Sequence, residues 1–365
     1  MRVALVHDHL TQLGGAERVL EVLQTLWPHA PTFTLLYDEQ AVGEVFGHRD
    51  IRPSFLQRIP GALRISRWLL PLMPSATEHY PLQEYDVVIS SASAFAKGVV
   101  TSANGIHICY CHTPTRYLWN DAKSYVEELR APRLIKSVLP ILQSVLRAWD
   151  KLAADRVDLF IANSETVRRR IKKYYGKESI VISPPVSTST FRISTAPKTA
   201  FLVGGRLVSY KRYDLVIKAF TRLGVPLIVF GSGPEETKLQ CMAGPNVTFV
   251  GRVTDEERAR LFANAIAFIH PHEEDFGITA VESMAAGRPV IAYRKGGATE
   301  TVVDGVTGIF FEDQTWESLA HTVIHFDEHA FHPSAIKAHA EQYSVERFRQ
   351  TMHDVVTKAW EKKSA

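Results

Sequence analysis

The sequence predicts an α/β protein of two doubly wound, Rossmann-like domains, each with a parallel sheet covered by helices on both faces. Short β-branched apolar runs alternate with stretches of helical periodicity, a pattern typical of strands buried on both faces. The alternation occurs twice, with a stretch rich in Pro, Ser and Thr between the two series. The chain has 365 residues, which suits two domains of about 150 residues each.

The two series place the domain boundaries. We expect an N-terminal domain over residues 1–183, a linker over 184–199 and a C-terminal domain over 200–345. We predict a helix over residues 346–365, which can pack back on the N-terminal domain. Ligands of doubly wound folds lie at the carboxyl ends of the strands, so two facing domains would hold the site in the cleft between them.

Each predicted strand is a short apolar run. In the first series these runs are VALV from residue 3, TFTLL from 32, DVVIS from 86, IHICYC from 106 and DLFIANS from 158. In the second they are FLVGG from 201, PLIVFG from 226, NVTFVG from 246, AIAFIH from 265 and RPVIAY from 288.

The composition is that of an ordinary globular protein, with 45% apolar and 22% charged residues. A net charge of +3 is too small to indicate a nucleic-acid partner. Cys109, Cys111 and Cys241 form no C-x-x-C pair, so we expect reduced thiols and no structural zinc. The opening residues predict a strand rather than a signal peptide, and no apolar run approaches a membrane span. The expected compartment is the cytoplasm.

The loop after the first strand of the second domain combines a glycine turn with two cations. Gly205 ends the turn, Arg206 and Lys211 follow, and a helix is expected to begin near Lys211. Cations beside a glycine turn and a helix N-terminus are typical of an anion site. The alternative is that both side chains are solvated surface charges.

The segment HEEDFGITAVE, residues 272–282, follows the predicted strand AIAFIH. Glu274 is expected in the loop above the sheet edge, and Glu282 two helical turns along on the face toward the same pocket. Such a loop offers carboxylates for sugar or ribose hydroxyls, and free first-turn amides at Ile278 and Thr279, after Phe276 and Gly277. The alternative is that these acids are favoured by the helix dipole alone.

Weaker signals lie elsewhere in the chain. Gly14 and Gly15 follow the first strand, where they would let the donor approach the backbone closely. They do not form a dinucleotide fingerprint, which disfavours a dehydrogenase. Gly296–Gly297 is either a phosphate-binding nest of amides or a plain turn. The motifs HDH at 7–9 and HPH at 270–272 are hypothesised to be loop-edge histidines of a sugar cleft rather than metal ligands.

Together these motifs resemble the retaining glycosyltransferases of family 4, which have the GT-B fold. The resemblance covers nearly the whole chain and rests on GGRLVSYK, VFGSGPE, FVGRVTDEE, EDFGITAVE and KGGATETV in this order. The stretches MRVALVHDHLTQLGGAERVLE and CYCHTPTRYLW look like the bacterial branch that builds surface polysaccharides from GDP-mannose.

The resemblance implies a role for each candidate residue. Arg206 and Lys211 would hold the donor diphosphate, Glu274 the hydroxyls of the transferred sugar, and Glu282 the nucleotide ribose. His112, in a loop of the first domain, would contact the sugar near the reacting carbon. The alternative for His112 is a buried histidine satisfied by its neighbours.

The loop GRVTDEER, residues 251–258, would border the base, through the Val253 backbone and the side chains of Asp255 and Arg258. A carboxylate at Asp255 can accept two hydrogen bonds from guanine but only one from uracil, which favours GDP. The alternative is that Asp255 merely begins a helix.

The resemblance also implies a metal-independent reaction with no cofactor beyond the nucleotide sugar. The acceptor hydroxyl would attack the face from which the diphosphate leaves, so the configuration is retained. A double displacement is the alternative, but no carboxylate is well placed for it. Other functions left open are transfer from a UDP-sugar and a catalytically idle GT-B subunit that only binds.

Two segments of the first domain are both basic and apolar. Residues 58–74 include Arg58, Arg64 and Arg67, and residues 130–151 include Arg130, Arg133, Lys136, Arg147 and Lys151. Such segments suit an anionic bilayer surface, which predicts a lipid-linked acceptor and peripheral contact with the inner face of the plasma membrane. The alternative is that both are ordinary core-packing segments.

Overall fold

The computed structural model describes residues 1–119 and 133–364, and for residues 133–138 it describes the backbone alone. The chain divides into two compact units. Unit 1 comprises Met1–Ser183 and Phe348–Ala365, and unit 2 comprises Pro184–Arg347. Both units contain a parallel sheet with helices, so the predicted fold class is confirmed.

In the described part of unit 1, seven parallel strands form one sheet in the order β3-β2-β1-β4-β5-β6-β7. Their bounds are Val3–Leu10 (β1), Thr32–Tyr37 (β2), Ile51–Pro53 (β3), Val87–Ala92 (β4), Ile106–Cys111 (β5), Leu159–Ala162 (β6) and Ser179–Val181 (β7). All five predicted strands are present. The short edge strands β3 and β7 were not predicted, because they are half-buried or exposed and carry no continuous apolar run.

The helices of unit 1 connect these strands. Among the described residues they are Gly15–Leu26 (α1), Glu39–Phe46 (α2), Met73–Glu78 (α3), Arg133–Asp155 (α4) and Glu165–Tyr175 (α5). Local sequence explains the ends of α5. The Ser164 side chain accepts from the Val167 amide at the start, and Gly176 adopts a left-handed conformation at the end.

The described residues of unit 2 form a six-stranded parallel sheet in the order β10-β9-β8-β11-β12-β13. The strands are Ala200–Gly204 (β8), Leu227–Phe230 (β9), Val247–Gly251 (β10), Ala265–His270 (β11), Val290–Tyr293 (β12) and Gly308–Phe311 (β13). The helices are Tyr213–Leu223 (α6), Glu236–Met242 (α7), Asp255–Asn264 (α8), Ile278–Ala285 (α9), Ala298–Thr301 (α10), Trp316–Ile324 (α11) and Pro333–Ala340 (α12). The five predicted strands are again present, and β13 is additional.

The connection between the two predicted domains is packed. Val186 and Phe191 are buried in the core of unit 2, and the Thr188 hydroxyl donates to Glu341 at 2.7 Å. The interpretation of 184–199 as a linker followed its Pro, Ser and Thr content. Val186 and Phe191 are apolar residues within that polar stretch, and they attach it to the core of unit 2.

The last helix, Val345–Ser364 (α13), packs on unit 1. Phe348, Met352 and Val356 are buried with residues of the unit 1 sheet, and the Phe348 ring lies 5.7 Å from that of Tyr110. The Lys363 ammonium contacts Asp158 at 3.3 Å. Residues from Phe348 onward therefore complete the core of the N-terminal unit.

Strand order fixes where ligand-binding loops meet in unit 2. The chain runs outward from β8 to β9 and β10, then returns to place β11 on the other side of β8. The loops after β8 and β11 therefore leave neighbouring strands at the topological switch point, where open α/β sheets bind ligands. Among the described residues, no helix combines the length and apolarity that crossing a membrane requires.

Candidate functional site

A partly buried ion pair occupies the switch point of unit 2. The Lys211 ammonium lies 2.9 Å from Glu274 Oε1, and His272 Nε2 lies 3.0 Å from the same oxygen. Burial favours a neutral carboxyl, but Lys211 and His272 outweigh it and hold the pKa of Glu274 well below its ordinary value. Burial would likewise lower the pKa of Lys211, yet Glu274 raises it above the ordinary value. Both groups are charged at neutral pH.

The loop after β8 brings Lys211 to this point. Gly205 has φ +129°, and its amide donates to the Phe230 carbonyl at 3.1 Å. A methyl group at Gly205 would lie 3.5 Å from Lys211 Nζ, which places the bare backbone beside the ammonium. Lys211 ends a 3-10 turn, Ser209–Lys211, and α6 begins two residues later at Tyr213. Arg206 lies in the same loop, directly after Gly205.

The loop after β11 ends in helix α9. Gly277 precedes the helix with φ +90°, and the first bonds to its carbonyl come from the Ala280 and Val281 amides. Ile278 and Thr279 therefore form the first turn, as predicted. The Phe276 side chain is buried and packs against Tyr343.

A second ion-pair group joins α8 and α9. The Arg258 guanidinium lies 2.9 Å from Asp255 and 3.4 Å from Glu282. Glu282 is 2% exposed and Asp255 is 75% exposed. Thr254 and Glu257 form the capping box of α8, so the cap does not depend on Asp255.

Val253 is half-buried and packs against the unit 2 core just before α8. The structure thus brings Asp255 and Arg258 together with Glu282, and Val253 directly precedes this group in the chain.

The glycine pair at 296–297 supports the site loop. The Gly297 amide donates to the Glu274 carbonyl at 2.7 Å, so it is not available to a phosphate. A methyl group on Gly297 would lie 2.4 Å from Phe276 Cα, and one on Gly296 would lie 2.4 Å from the Glu274 carbonyl oxygen. These glycines allow two backbones to approach closely, which is the role of a turn rather than of an anion nest.

In unit 1, a chain of side chains orients His112. His112 Nε2 lies 2.8 Å from Ser91 Oγ, and Ser91 Oγ lies 3.1 Å from His7 Nδ1. His7 Nε2 in turn lies 3.7 Å from Glu17, which is buried. Burial is the main cause that lowers the pKa of His112 to about 4, and the neighbouring His7 lowers it further. The imidazole is therefore neutral at neutral pH.

Sequence reasoning missed Ser91 and Glu17, although Glu17 lies within the quoted segment GGAERVL. A methyl group on Gly14 would lie 2.9 Å from the Glu17 carboxylate. Gly14 has an extended backbone and Gly15 begins α1. Gly14 therefore makes room for a side chain of the chain itself, a role that the sequence interpretation had given to a ligand.

The histidines of HPH lie at the end of β11 and just after it, and both are buried. His270 and His272 are 0% and 1% exposed, and their rings lie 4.3 Å apart. Burial lowers the pKa of His270 to about 3, so its imidazole is neutral. The ligand atoms of His270, His272 and Glu274 all lie within 4.8 Å of one another, which is a possible metal-ligand set.

Comparison with known proteins identifies the family. The family model for "Glycosyl transferases group 1" matches residues 190–342, and the model for "Glycosyltransferase Family 4" matches residues 13–190. Together they span residues 13–342. The chain therefore belongs to the family 4 glycosyltransferases, as its motifs predicted.

Curated relatives resemble parts of the chain. One is the GDP-mannose-dependent alpha-(1-6)-phosphatidylinositol monomannoside mannosyltransferase of Mycobacterium tuberculosis, 29% identical over 219 residues, which are 51% of this chain and 56% of the relative. Another is a GDP-mannose-dependent alpha-mannosyltransferase of Corynebacterium glutamicum, 35% identical over 109 residues, covering 30% of this chain and 26% of the relative. The first match spans about half the length of the relative.

Solved structures agree in fold over nearly the whole chain. The Anabaena protein HepE, in complex with UDP-glucose, has a TM-score of 0.73 at 19% identity and covers 98% of this chain and 100% of its own. The GT-B fold predicted from the sequence is thus confirmed.

Replacing Gly297 with Ala should destabilise unit 2 by about 1–3 kcal/mol, because the new methyl meets backbone atoms of Asp275 and Phe276 rather than a flexible side chain. Urea unfolding measures the change. Gly43→Ala is the control, since in helix α2 its methyl meets only the flexible Glu39 side chain, at 3.1 Å. Equal stability of Gly297→Ala and the parent protein would contradict the close approach of the two loops.

Proposed function

We propose that the protein is a retaining glycosyltransferase that moves mannose from GDP-mannose to a saccharide acceptor carried on a lipid. The observation that carries the proposal is the contact of Lys211 with Glu274 at the switch point, 2.9 Å apart. A nucleotide sugar needs a cation for its diphosphate and a hydrogen-bond acceptor for its sugar hydroxyls. This pair provides both charges at one point, beside the bare backbone of Gly205.

The leaving diphosphate is the group that most needs stabilisation, since it gains negative charge as the glycosidic bond breaks. Lys211 stays protonated, and Arg206 follows Gly205 in the same loop. First-turn amides of α9 add fixed dipoles that favour an anion. These groups can act on the phosphate without a metal ion, and the proposal includes no cofactor besides the nucleotide sugar.

Glu274 is the proposed acceptor for hydroxyl groups of the transferred sugar. Its pKa lies well below the ordinary value, so it remains ionised and can accept several hydrogen bonds at once. Lys211 and His272 hold one of its oxygens in place. Glu282, buried and joined to Arg258, takes the ribose hydroxyls.

The proposed reaction needs no nucleophile from the protein. The acceptor oxygen forms a bond to the anomeric carbon while the bond from that carbon to the phosphate oxygen breaks. The acceptor proton passes to an oxygen of the departing diphosphate. His112, neutral and oriented by Ser91 and His7, contacts the donor sugar in the role that the family resemblance implies.

The donor base is proposed to be guanine. Relatives named as GDP-mannose-dependent support it. Because Asp255 is largely exposed, we expect it to contribute part of the preference and not all of it. A UDP-sugar is the competing donor.

A surface of unit 1 supports a lipid-linked acceptor. In residues 58–74, Arg64 and Arg67 are exposed beside Trp68, 63% exposed, and Leu72, 47% exposed. Apolar side chains with basic neighbours suit a bilayer interface, where the aromatic ring and the charges both find partners.

Helix α4 presents a similar stripe. Ile141, Val145 and Leu152 follow helical spacing on one face and are each more than 60% exposed. Arg130 and the side chains of Arg133 and Lys136 lie outside the described residues. With the exposed part of 58–74, this stripe is the proposed contact with an anionic membrane surface.

Removing either cation should slow transfer. Arg206→Ala and Lys211→Ala each withdraw charge from the leaving diphosphate, which we expect to cost about 3 kcal/mol, or about 100-fold in kcat/KM. Lys238→Ala is the matched control, because Lys238 also lies 2.9 Å from a carboxylate, Glu235, but at the exposed surface. Wild-type turnover by both variants would show that neither cation holds the diphosphate.

The wild-type protein should bind GDP more tightly than UDP in a calorimetric titration, and Asp255→Ala should narrow the difference. Guanine can donate two hydrogen bonds to a carboxylate and uracil only one. Tighter binding of UDP would refute GDP-mannose as donor. Equal loss of both nucleotides in the variant would refute only the role of Asp255.

Loss of positive charge at Arg64 and Arg67 should weaken binding to vesicles that contain anionic lipid, by about 1 kcal/mol per charge. Co-sedimentation measures it. The control variant replaces Arg168 and Lys173, which are exposed on helix α5 and carry the same total charge. Equal binding by the two variants, or none by the parent protein, would mean that this surface does not contact a membrane.

A further inference from the structure

His270, His272 and Glu274 form a compact cluster at the carboxyl end of β11. They occupy alternate positions, with His270 the last residue of the strand. Alternate residues of an extended chain project to the same side. Their nitrogen and oxygen ligand atoms accordingly lie within 4.8 Å of one another.

The surroundings of His270 suit a ligand better than a core. Its side chain is fully buried, and within the described residues neither ring nitrogen has a hydrogen-bond partner. A buried polar atom without a partner costs free energy that a bond to a metal would recover.

We propose that His270, His272 and Glu274 bind one Zn²⁺ ion. Two imidazoles and one carboxylate are a ligand set that zinc accepts, with a fourth position left for water. Neutral nitrogen ligands disfavour Mg²⁺ and Ca²⁺, which prefer oxygen. The proposal departs from the expectation, drawn from the sequence, that no metal binds.

Lys211 would compete with this ion for the Glu274 carboxylate. Its ammonium and His272 Nε2 contact the same carboxylate oxygen, at 2.9 and 3.0 Å. The ammonium would repel an ion bound there. The ion would also replace part of the attraction between Lys211 and Glu274. Zinc affinity should therefore rise when an uncharged residue replaces Lys211.

One consequence follows for activity, and it alone rests on the proposed function. A zinc ion on Glu274 would occupy the carboxylate meant for the sugar hydroxyls. Zinc would then inhibit transfer, and a chelator would leave activity unchanged or raise it.

The chain offers a matched control pair of histidines. The rings of His321 and His325 lie 4.3 Å apart, the same separation as those of His270 and His272. They are on the surface helix α11 and its C-terminus, and the first pair differs from them in being buried beside a carboxylate. An ion bound only adventitiously would prefer the surface pair.

The test is a titration of the full-length, metal-free protein with Zn²⁺ in the presence of a chromophoric chelator, repeated with Co²⁺ to follow the visible absorption of a four-coordinate site. We expect one ion per chain and no competition by Mg²⁺. His272→Ala and Glu274→Gln should each weaken binding about tenfold or more. Lys211→Ala should tighten it, and His321→Ala with His325→Ala should leave it unchanged.

Thermal unfolding in EDTA checks that each variant is folded. If His272→Ala fails that check, the opposite changes expected for Glu274→Gln and Lys211→Ala still decide the matter. Three results would overturn the proposal: no stoichiometric binding by the parent protein, unchanged binding in Glu274→Gln, or loss of binding in the His321 and His325 double variant. Because these measurements need no glycosyl donor, their failure is separate from failure of the proposed function.

Discussion

The candidate site depends on one partly buried ion pair, formed by Lys211 and Glu274. A buried pair of charges gains little net stability, because removal from water offsets most of the mutual attraction. Two features of the backbone nevertheless hold the pair in place. Gly205 has a positive φ, and the backbone of Gly297 closely approaches that of Phe276. Such an arrangement is best understood as preparation for a ligand that carries both negative charge and hydroxyl groups.

Position at the switch point explains why this pair can form. Lys211 and Glu274 are far apart in sequence, but their loops leave the neighbouring strands β8 and β11. The parallel sheet brings the two loops together at one edge. Glu274 then serves two partners, Lys211 and His272, through one oxygen. That shared oxygen links the proposed sugar site to the proposed zinc site.

Much of this could be predicted from sequence because the relevant signals are local. Buried parallel strands are continuous apolar runs, and the loops that follow them carry Gly205, Lys211 and Glu274 in the motifs of the family. Edge strands β3 and β7 lack that signal. Val186 and Phe191 are isolated apolar residues in a polar stretch, so the sequence did not indicate that they lie in a core. Ser91, which links His7 to His112, lies 84 positions from His7, and only the tertiary fold reveals the contact. The same holds for Gly14, whose space is taken by the Glu17 carboxylate.

The central claim is that Glu274 recognises the sugar while Lys211 recognises the diphosphate. It is tested most directly by calorimetric titration of the wild type and of Glu274→Gln with GDP and with GDP-mannose. The account predicts that the wild type binds GDP-mannose more tightly than GDP. It also predicts that Glu274→Gln loses this difference while it binds GDP at least as well, since Lys211 is then released toward the phosphates. An equal loss of affinity for both ligands, or an undiminished preference for GDP-mannose, would contradict it.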